Sequence, residues 1–114
     1  MNTYSIAHLA AIAYLNSKGL KAEGACKFVC DEGAADIVTK SDDVTVLVIV
    51  TAKRQRGEVK EPEFSYKRLQ YIAMCYLVQH PEVDALRFDV IEALIGTGAT
   101  VSVNALEGAY SWER

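Results

Sequence analysis

Two runs of alternating side chains in the centre of the chain predict a β-hairpin. Residues 35–39 and 44–53 are rich in Val, Ile and Thr, which favour pleated, half-buried positions. The segment between them contains Ser41, Asp42 and Asp43, whose short side chains hydrogen-bond their own backbone in turns. Along the second strand, alternate residues face opposite sides of the sheet.

The register of this hairpin decides which polar side chains meet. We expect the turn to pair Ser41 with Val44. That register puts Asp36 on the face that also carries Thr51 and Lys53. A slip of one residue would separate them, so the candidate site depends on this pairing.

Helical spacing predicts a first helix over residues 3–18. Its apolar stripe is Ile6, Leu9, Ala10, Ala13 and Ser17. Thr3 or Ser5 is suited to cap its start, and Gly19 supplies the left-handed residue after its end.

A second helix is predicted over residues 62–80, with Pro62 at its start and Pro81 after its end. Its apolar stripe is Tyr66, Leu69, Ile72, Ala73, Tyr76 and Leu77. We expect Tyr71, Tyr76 and Cys75 to be core residues and not a base-stacking platform.

Further strands are predicted over residues 20–30, 85–94 and 100–106, with a tail that packs or frays at the sheet edge. Arg87 and Asp89 share a face and are expected to pair with each other or to close the sheet edge. The chain is thus predicted to be an α/β domain over residues 1–114. Its mixed, mostly antiparallel sheet is flanked by helices in the order α-β-β-β-α-β-β.

Five short motifs follow one another along the chain: Ala11-x-x-Tyr14-Leu15 with Lys18-Gly19, the block from Gly33 to Val38, Thr51-Ala52-Lys53, Lys67-Arg68-Leu69 and Arg87-Phe88-Asp89-Val90. In this order they resemble the YraN-like family of the restriction-endonuclease-like, PD-(D/E)XK, superfamily. The resemblance implies a restriction-endonuclease-like fold with a metal-dependent nuclease site on the central hairpin.

The chain departs from that family where the chemistry matters most. His8, Ala34 and Thr51 stand where the family has glutamates, so only Asp36 and Lys53 remain of the catalytic set. Nuclease metals such as Mg²⁺ prefer carboxylates and water, and Thr51 offers a neutral hydroxyl. A lone Asp36 should hold Mg²⁺ weakly.

His8 is an alternative metal ligand, suited to Zn²⁺ or Mn²⁺ better than to Mg²⁺. No second histidine or cysteine ligand is evident near it in the sequence. We therefore favour a surface or half-buried role for His8.

The basic residues after the central hairpin are the candidates for nucleic-acid binding: Arg54, Arg56, Lys60 and Lys67. Glu58, Glu61 and Glu63 interrupt them. We therefore give equal weight to two interpretations of this segment, a solvated loop of mixed charge and a loop that binds phosphate. The net charge of −3 gives no global attraction to nucleic acid, and any binding must come from this local patch.

The cysteine content and the length of the apolar runs predict the cellular compartment of the protein. Three cysteines leave one unpaired in any disulfide scheme, which fits the reducing cytoplasm. Cys26 and Cys30 are interpreted as small apolar core residues. The apolar runs are too short for a bilayer, so no membrane partner is expected.

These features favour a nuclease-fold protein with a degenerate metal site that binds DNA or RNA without catalysis. One alternative is an active Mg- or Mn-dependent endonuclease, rebuilt around Glu32, Glu61 or Glu63. Another is a protein-interaction or homodimer module, motivated by the acidic balance and an exposed C-terminal strand edge.

Overall fold

A sheet of four strands with one helix on each face forms the body of the protein in the computed structural model, which describes residues 2–22 and 25–114. The elements in chain order are α1 (Thr3–Ser17), β1 (Phe28–Cys30), β2 (Gly33–Ala35), β3 (Ile37–Ser41), β4 (Val44–Arg54), α2 (Tyr66–Gln79), β5 (Ala85–Ile95), a 3₁₀ turn (Thr97–Ala99) and β6 (Val101–Glu113). No helix in these described ranges is both long and apolar enough to cross a bilayer.

The sheet is mixed, with strand order β3-β4-β5-β6. The β4–β5 pair is parallel, while β3–β4 and β5–β6 are antiparallel. β1 and β2 form a separate antiparallel hairpin. The predicted α/β class, mixed sheet and element order are confirmed, with the predicted strand 35–39 divided at Asp36 into β2 and β3. The restriction-endonuclease-like identity of the fold stays a prediction.

The alternation along β4 places two hydrophobic cores on opposite faces of the sheet. α1 packs on the face that carries Val46, Val48 and Val50. α2 packs on the other face, against Leu47 and Phe88. Each helix thus covers the sheet with an apolar stripe, as a two-sided α/β architecture requires.

The predicted stripe of α1 is wrong. Ala7, Ala11 and Leu15 are buried against the sheet, whereas Leu9 is 53% exposed. Small side chains at this spacing let the helix approach the strands closely, and a helix that is apolar nearly all round leaves its buried face undetermined by periodicity. The cap is also different, because Asn2 accepts the hydrogen bond from the backbone N–H of Ser5 at 2.8 Å.

The second helix starts later than predicted. Ser65 caps it and α2 begins at Tyr66, while Pro62 is buried in the preceding connection. Leu69, Ile72, Ala73 and Tyr76 are buried as expected. Tyr66 is 57% exposed and Tyr71 is 41% exposed, so neither is a core residue.

The remaining corrections concern strand ends and cysteines. The predicted strand over residues 20–30 begins only at Phe28, and its residues 23 and 24 lie outside the described residues. The final strand continues past residue 106 to Glu113. Cys26 is exposed, so it is not a core residue, while Cys30 and Cys75 are half-buried.

A bulge between β5 and β6 encloses a buried ion pair. The register shifts between Phe88 and Val90, and Asp89 there is only 3% exposed. Its Oδ1 accepts hydrogen bonds from Arg87 Nε at 3.1 Å and from the Gly108 backbone N–H at 2.9 Å. The predicted Arg87–Asp89 pairing is therefore confirmed, and the pair fixes the bulge.

Candidate functional site

Asp36 lies at the break between β2 and β3, beside the edge of β4. Its backbone N–H donates to the carbonyl of Val48 at 2.7 Å. Its Oδ2 accepts from the backbone N–H of Val50, also at 2.7 Å. The carboxylate thus takes the place that the backbone of a longer β3 would occupy, and it satisfies a donor that the interrupted strand leaves free.

The second oxygen of Asp36 is also occupied. Tyr4, in the first turn of α1, donates its hydroxyl to Oδ1 at 2.7 Å. This bond joins residues 32 positions apart and ties α1 to the sheet edge. Both oxygens of the predicted metal ligand therefore accept hydrogen bonds that hold the fold together.

The assumed register of the hairpin is the observed one. Ser41 pairs with Val44, and the ladder ends where Ile37 pairs with Val48. Asp36 stands one residue beyond that ladder, so its side chain turns toward the edge of β4. Among the described residues, no hydrogen bond or ion pair links Asp36 to Lys53.

Tyr4 gives the Asp36 contact a pH dependence. The hydrogen bond to Asp36, and then burial, raise the pKa of Tyr4 above its ordinary value of 10.0. A group whose pKa is raised on folding contributes its full stability below the unfolded-state pKa. That contribution is lost as pH rises through the folded-state pKa.

We therefore expect Tyr4→Phe to lower the free energy of unfolding by about 1 kcal/mol at pH 7, a value reduced for the solvent exposure of the bond. Above pH 10 the gap between wild type and variant should close. Burial also raises the pKa of Tyr76 and Tyr110, so wild type and Tyr4→Phe both lose stability in alkali. The quantity to measure is therefore the difference between their free energies of unfolding. Urea unfolding between pH 7 and 11 measures it, and a constant gap would contradict the Tyr4–Asp36 assignment.

Thr51 and Lys53 lie on the part of β4 that projects past β3. Both are exposed, and they share the face that α2 covers further along the strand. In the parallel ladder, Thr51 is paired with Glu92 and Lys53 with Leu94. The strand thus places the predicted residues Thr51 and Lys53 on one exposed face, but no hydrogen bond or ion pair in the described part of the chain joins either side chain to Asp36.

Glu92 is a carboxylate near the site that the sequence analysis did not identify as a candidate. Its Oε1 accepts a hydrogen bond from Asn104 Nδ2 at 3.4 Å, and the same Nδ2 donates to the carbonyl of Lys60 at 2.6 Å. A charged residue inside the apolar strand β5 was the available signal, since alternation places Glu92 on the same face as Val90. Glu92 therefore faces the same side as Thr51, and Asn104 holds the loop after β4 over it.

The loop over Glu92 closes a small cleft of about 20 Å³. The cleft is lined by Lys53, Arg54, Gln55, Arg56, Glu58, Val59, Lys60, Glu92 and Leu94. This is room for about one water molecule, so a larger ligand would lie across the rim of the cleft. We call Lys53, Arg54, Arg56 and Lys60 the basic rim.

The basic rim is exposed. None of its four cations forms an ion pair with a residue in the described ranges. Of the sequence-predicted set, Lys67 lies elsewhere: it is on the outer face of α2, with its Nζ 5.8 Å from the centroid of the Tyr71 ring. The structure therefore groups three of the four predicted nucleic-acid-binding residues, Arg54, Arg56 and Lys60, around Lys53.

His8 is half-buried on α1, as favoured from the sequence. Its ring centroid is 6.1 Å from that of Tyr4, and its Nδ1 is buried without a hydrogen-bond partner among the described residues. In those same residues, no group of three or more His, Cys, Asp or Glu side chains is placed to hold a metal ion. Tyr4 thus neighbours both predicted metal ligands, His8 and Asp36.

The three glutamates considered for a rebuilt site are dispersed. Glu32 lines a groove beside Tyr71 and Met74 on the outer side of α2. Glu61 and Glu63 are exposed in the connection that leads to α2. No hydrogen bond in the described part of the chain joins any of them to Asp36.

Scans against models of known protein families and against curated proteins find no match to this chain. The resemblance to the YraN-like family stays a prediction.

Proposed function

We propose that this protein binds the phosphates of DNA or RNA at the basic rim and does not cleave them. The observation that carries the proposal is the position of the rim. Four exposed cations without ion-pair partners among the described residues project from the end of β4 and from the loop that Asn104 anchors. Cations on a projecting scaffold suit contact with a polyanionic backbone.

The absence of cleavage is inferred from the hydrogen bonds that the Asp36 carboxylate already accepts. A metal-dependent nuclease coordinates Mg²⁺ or Mn²⁺ with several carboxylate oxygens, each of which has about two acceptor sites. Here Oδ1 and Oδ2 already accept hydrogen bonds from Tyr4 and Val50. Thr51 supplies a hydroxyl where the resembled family has a carboxylate. The hairpin thus offers the outline of a nuclease site with a poor set of metal ligands.

Charge favours local and salt-sensitive binding. The net charge of −3 repels a polyanion at long range, and Glu58 lies within the rim loop. Moderate affinity that falls steeply with salt is therefore expected. The three cysteines are free, so we place this activity in the reducing cytoplasm.

Glu92 supports one alternative, an active metal-dependent endonuclease with a rebuilt site. Glu92 is the partner of Thr51 in the parallel β4–β5 ladder, so its side chain lies on the same face of the sheet as Thr51 and Lys53. A carboxylate on the neighbouring strand could replace the one missing at Thr51. The long 3.4 Å contact with Asn104 leaves much of its coordination capacity free.

Neutralising Arg54 and Arg56 tests the binding proposal. Each phosphate contact contributes about 0.9 to the slope of log affinity against log salt. For the R54Q/R56Q variant the magnitude of this slope should therefore be smaller by about 1.8. The variant should also bind roughly 10- to 50-fold more weakly near 0.1 M salt. Fluorescence anisotropy with labelled duplex, branched and single-stranded nucleic acid measures both quantities.

The matched control is K21Q/K40Q, which removes the same charge from exposed positions. Lys40 pairs near the start of β4, and the two ends of that strand are about 33 Å apart at about 3.3 Å per residue. This variant should keep the wild-type slope. Equal losses in both variants would show that only net charge matters and would refute binding at the basic rim.

A further inference from the structure

An apolar groove of about 550 Å³ lies between β1 and the face of α2 that points away from the sheet. Its exposed apolar side chains are Val29 (66%), Tyr71 (41%), Met74 (50%) and Val78 (82%). Tyr71, Met74 and Val78 recur at the i, i+3, i+7 spacing of a helix–helix contact seam. An exposed apolar patch of this kind marks an interaction surface.

Cys75 extends the apolar character of this groove. It lines the groove together with Cys30. Burial, and then the neighbouring Cys30 thiol, raise the pKa of the Cys75 thiol. The Cys75 thiol therefore adds neutral, polarisable surface to the groove.

Opposite charges stand at the two ends of the seam. Lys67 lies at the start of α2, against the Tyr71 ring. Glu82 follows the end of the helix, where its side chain is 68% exposed and its Oε1 lies 3.3 Å from His80 Nδ1. Asp31 and Glu32 line the groove from the β1–β2 turn and are exposed, where they suit the polar rim of an interface.

We propose that a second copy of this chain covers the groove, with the two α2 helices antiparallel about a two-fold axis near Met74. In such a dimer each contact occurs twice, because residue i meets residue j and residue j meets residue i. Tyr71 then packs on the partner's Val78, and Lys67 faces the partner's Glu82. Both pairs are centred between positions 74 and 75.

The charges select this arrangement over the parallel one. A parallel pair of α2 helices would place Lys67 against the partner's Lys67, and Glu82 against the partner's Glu82. The antiparallel pair brings opposite charges together at both ends of the seam. The surface is therefore self-complementary, and this dimer is separate from the basic rim and goes beyond the proposed nucleic-acid binding.

Sedimentation equilibrium of the full chain tests the proposal. Wild type should change from the monomer mass of 12.5 kDa to twice that mass as concentration rises from about 1 μM to about 1 mM. Met74→Glu should stay monomeric, because it would bury two carboxylates at the axis. The matched control is Leu9→Glu on α1, where the side chain is similarly exposed at 53%, and it should dimerise like wild type.

A charge exchange tests the antiparallel geometry itself. Lys67→Glu and Glu82→Lys should each weaken the dimer several-fold, and the double variant should recover it. Val78→Glu provides a second disrupting variant at the most exposed position of the seam, where folding is least affected. Wild type that remains monomeric, or dimers that persist in both Met74→Glu and Val78→Glu, would overturn the proposal, as would a double variant weaker than either single one.

Discussion

Asp89→Ala is expected to lower the free energy of unfolding by about 3 kcal/mol, the lower end of the range for breaking a buried ion pair. The change leaves the Arg87 guanidinium, which is 24% exposed, without its carboxylate. It also leaves the Gly108 N–H of the bulge without its acceptor. For a chain of 114 residues this corresponds to a fall in melting temperature of about 12 °C, which calorimetry measures.

Asp84→Ala is the matched control for this prediction. Asp84 also pairs with an arginine, Arg114 at 3.1 Å, but its side chain is 81% exposed. An exposed pair contributes about 0 to 1 kcal/mol, so the melting temperature should change little. Equal effects of the two substitutions would show that the bulge does not depend on Asp89.

The pH dependence of the Asp89 effect has a definite sign. Burial raises the pKa of the Asp89 carboxyl above its ordinary value of 3.8, although the Gly108 N–H and Arg87 act in the opposite direction. Ionised Asp89 therefore lowers the stability of the folded state. This loss disappears as the pH falls through the folded-state pKa toward 3.8 and the carboxyl becomes protonated. The difference in unfolding free energy between wild type and Asp89→Ala should therefore widen as the pH falls through that folded-state pKa, which urea unfolding at several pH values measures.

Asp36→Ala is the second large effect, with an expected loss of about 2 to 4 kcal/mol. It removes the acceptor for the backbone N–H of Val50, a residue only 8% exposed. It also frees the Tyr4 hydroxyl and with it one attachment of α1 to the sheet. A carboxylate kept for metal binding usually costs stability, so its removal would leave the protein as stable or more stable.

Asp36→Asn separates the shape of this residue from its charge. The amide oxygen can still accept from Val50, and the amide nitrogen can donate to the Tyr4 hydroxyl. We expect this variant to lose less than about 1 kcal/mol. Chemical denaturation of wild type, Asp36→Ala and Asp36→Asn therefore tests whether Asp36 serves as a cap on the sheet edge.

Much of the fold is visible in local sequence. The alternation of Val, Ile and Thr along β4 and the polar turn from Ser41 to Val44 fix the hairpin register, because a slip would expose the core face. The same alternation puts Arg87 and Asp89 on one face. These features depend on near neighbours in the chain, which is why the sequence predicts them correctly.

The site is less predictable because it depends on contacts between distant residues. No local pattern shows that Tyr4 will reach Asp36, or that the carboxylate will replace strand backbone at the edge of β4. Glu92 joins the face of Thr51 only through the parallel pairing of β4 with β5. The buried face of α1 was likewise decided by the fit of Ala7 and Ala11 against the sheet.

The most direct test of binding without cleavage is an incubation of labelled branched and linear DNA with Mg²⁺ or Mn²⁺, followed by measurement of fragment length. Wild type, Asp36→Asn and Glu92→Gln should all leave the DNA intact under conditions where anisotropy shows it bound. Cleavage by wild type that Asp36→Asn abolishes would show Asp36 to be a metal ligand and contradict the proposal. Cleavage that Glu92→Gln abolishes would establish the rebuilt site instead.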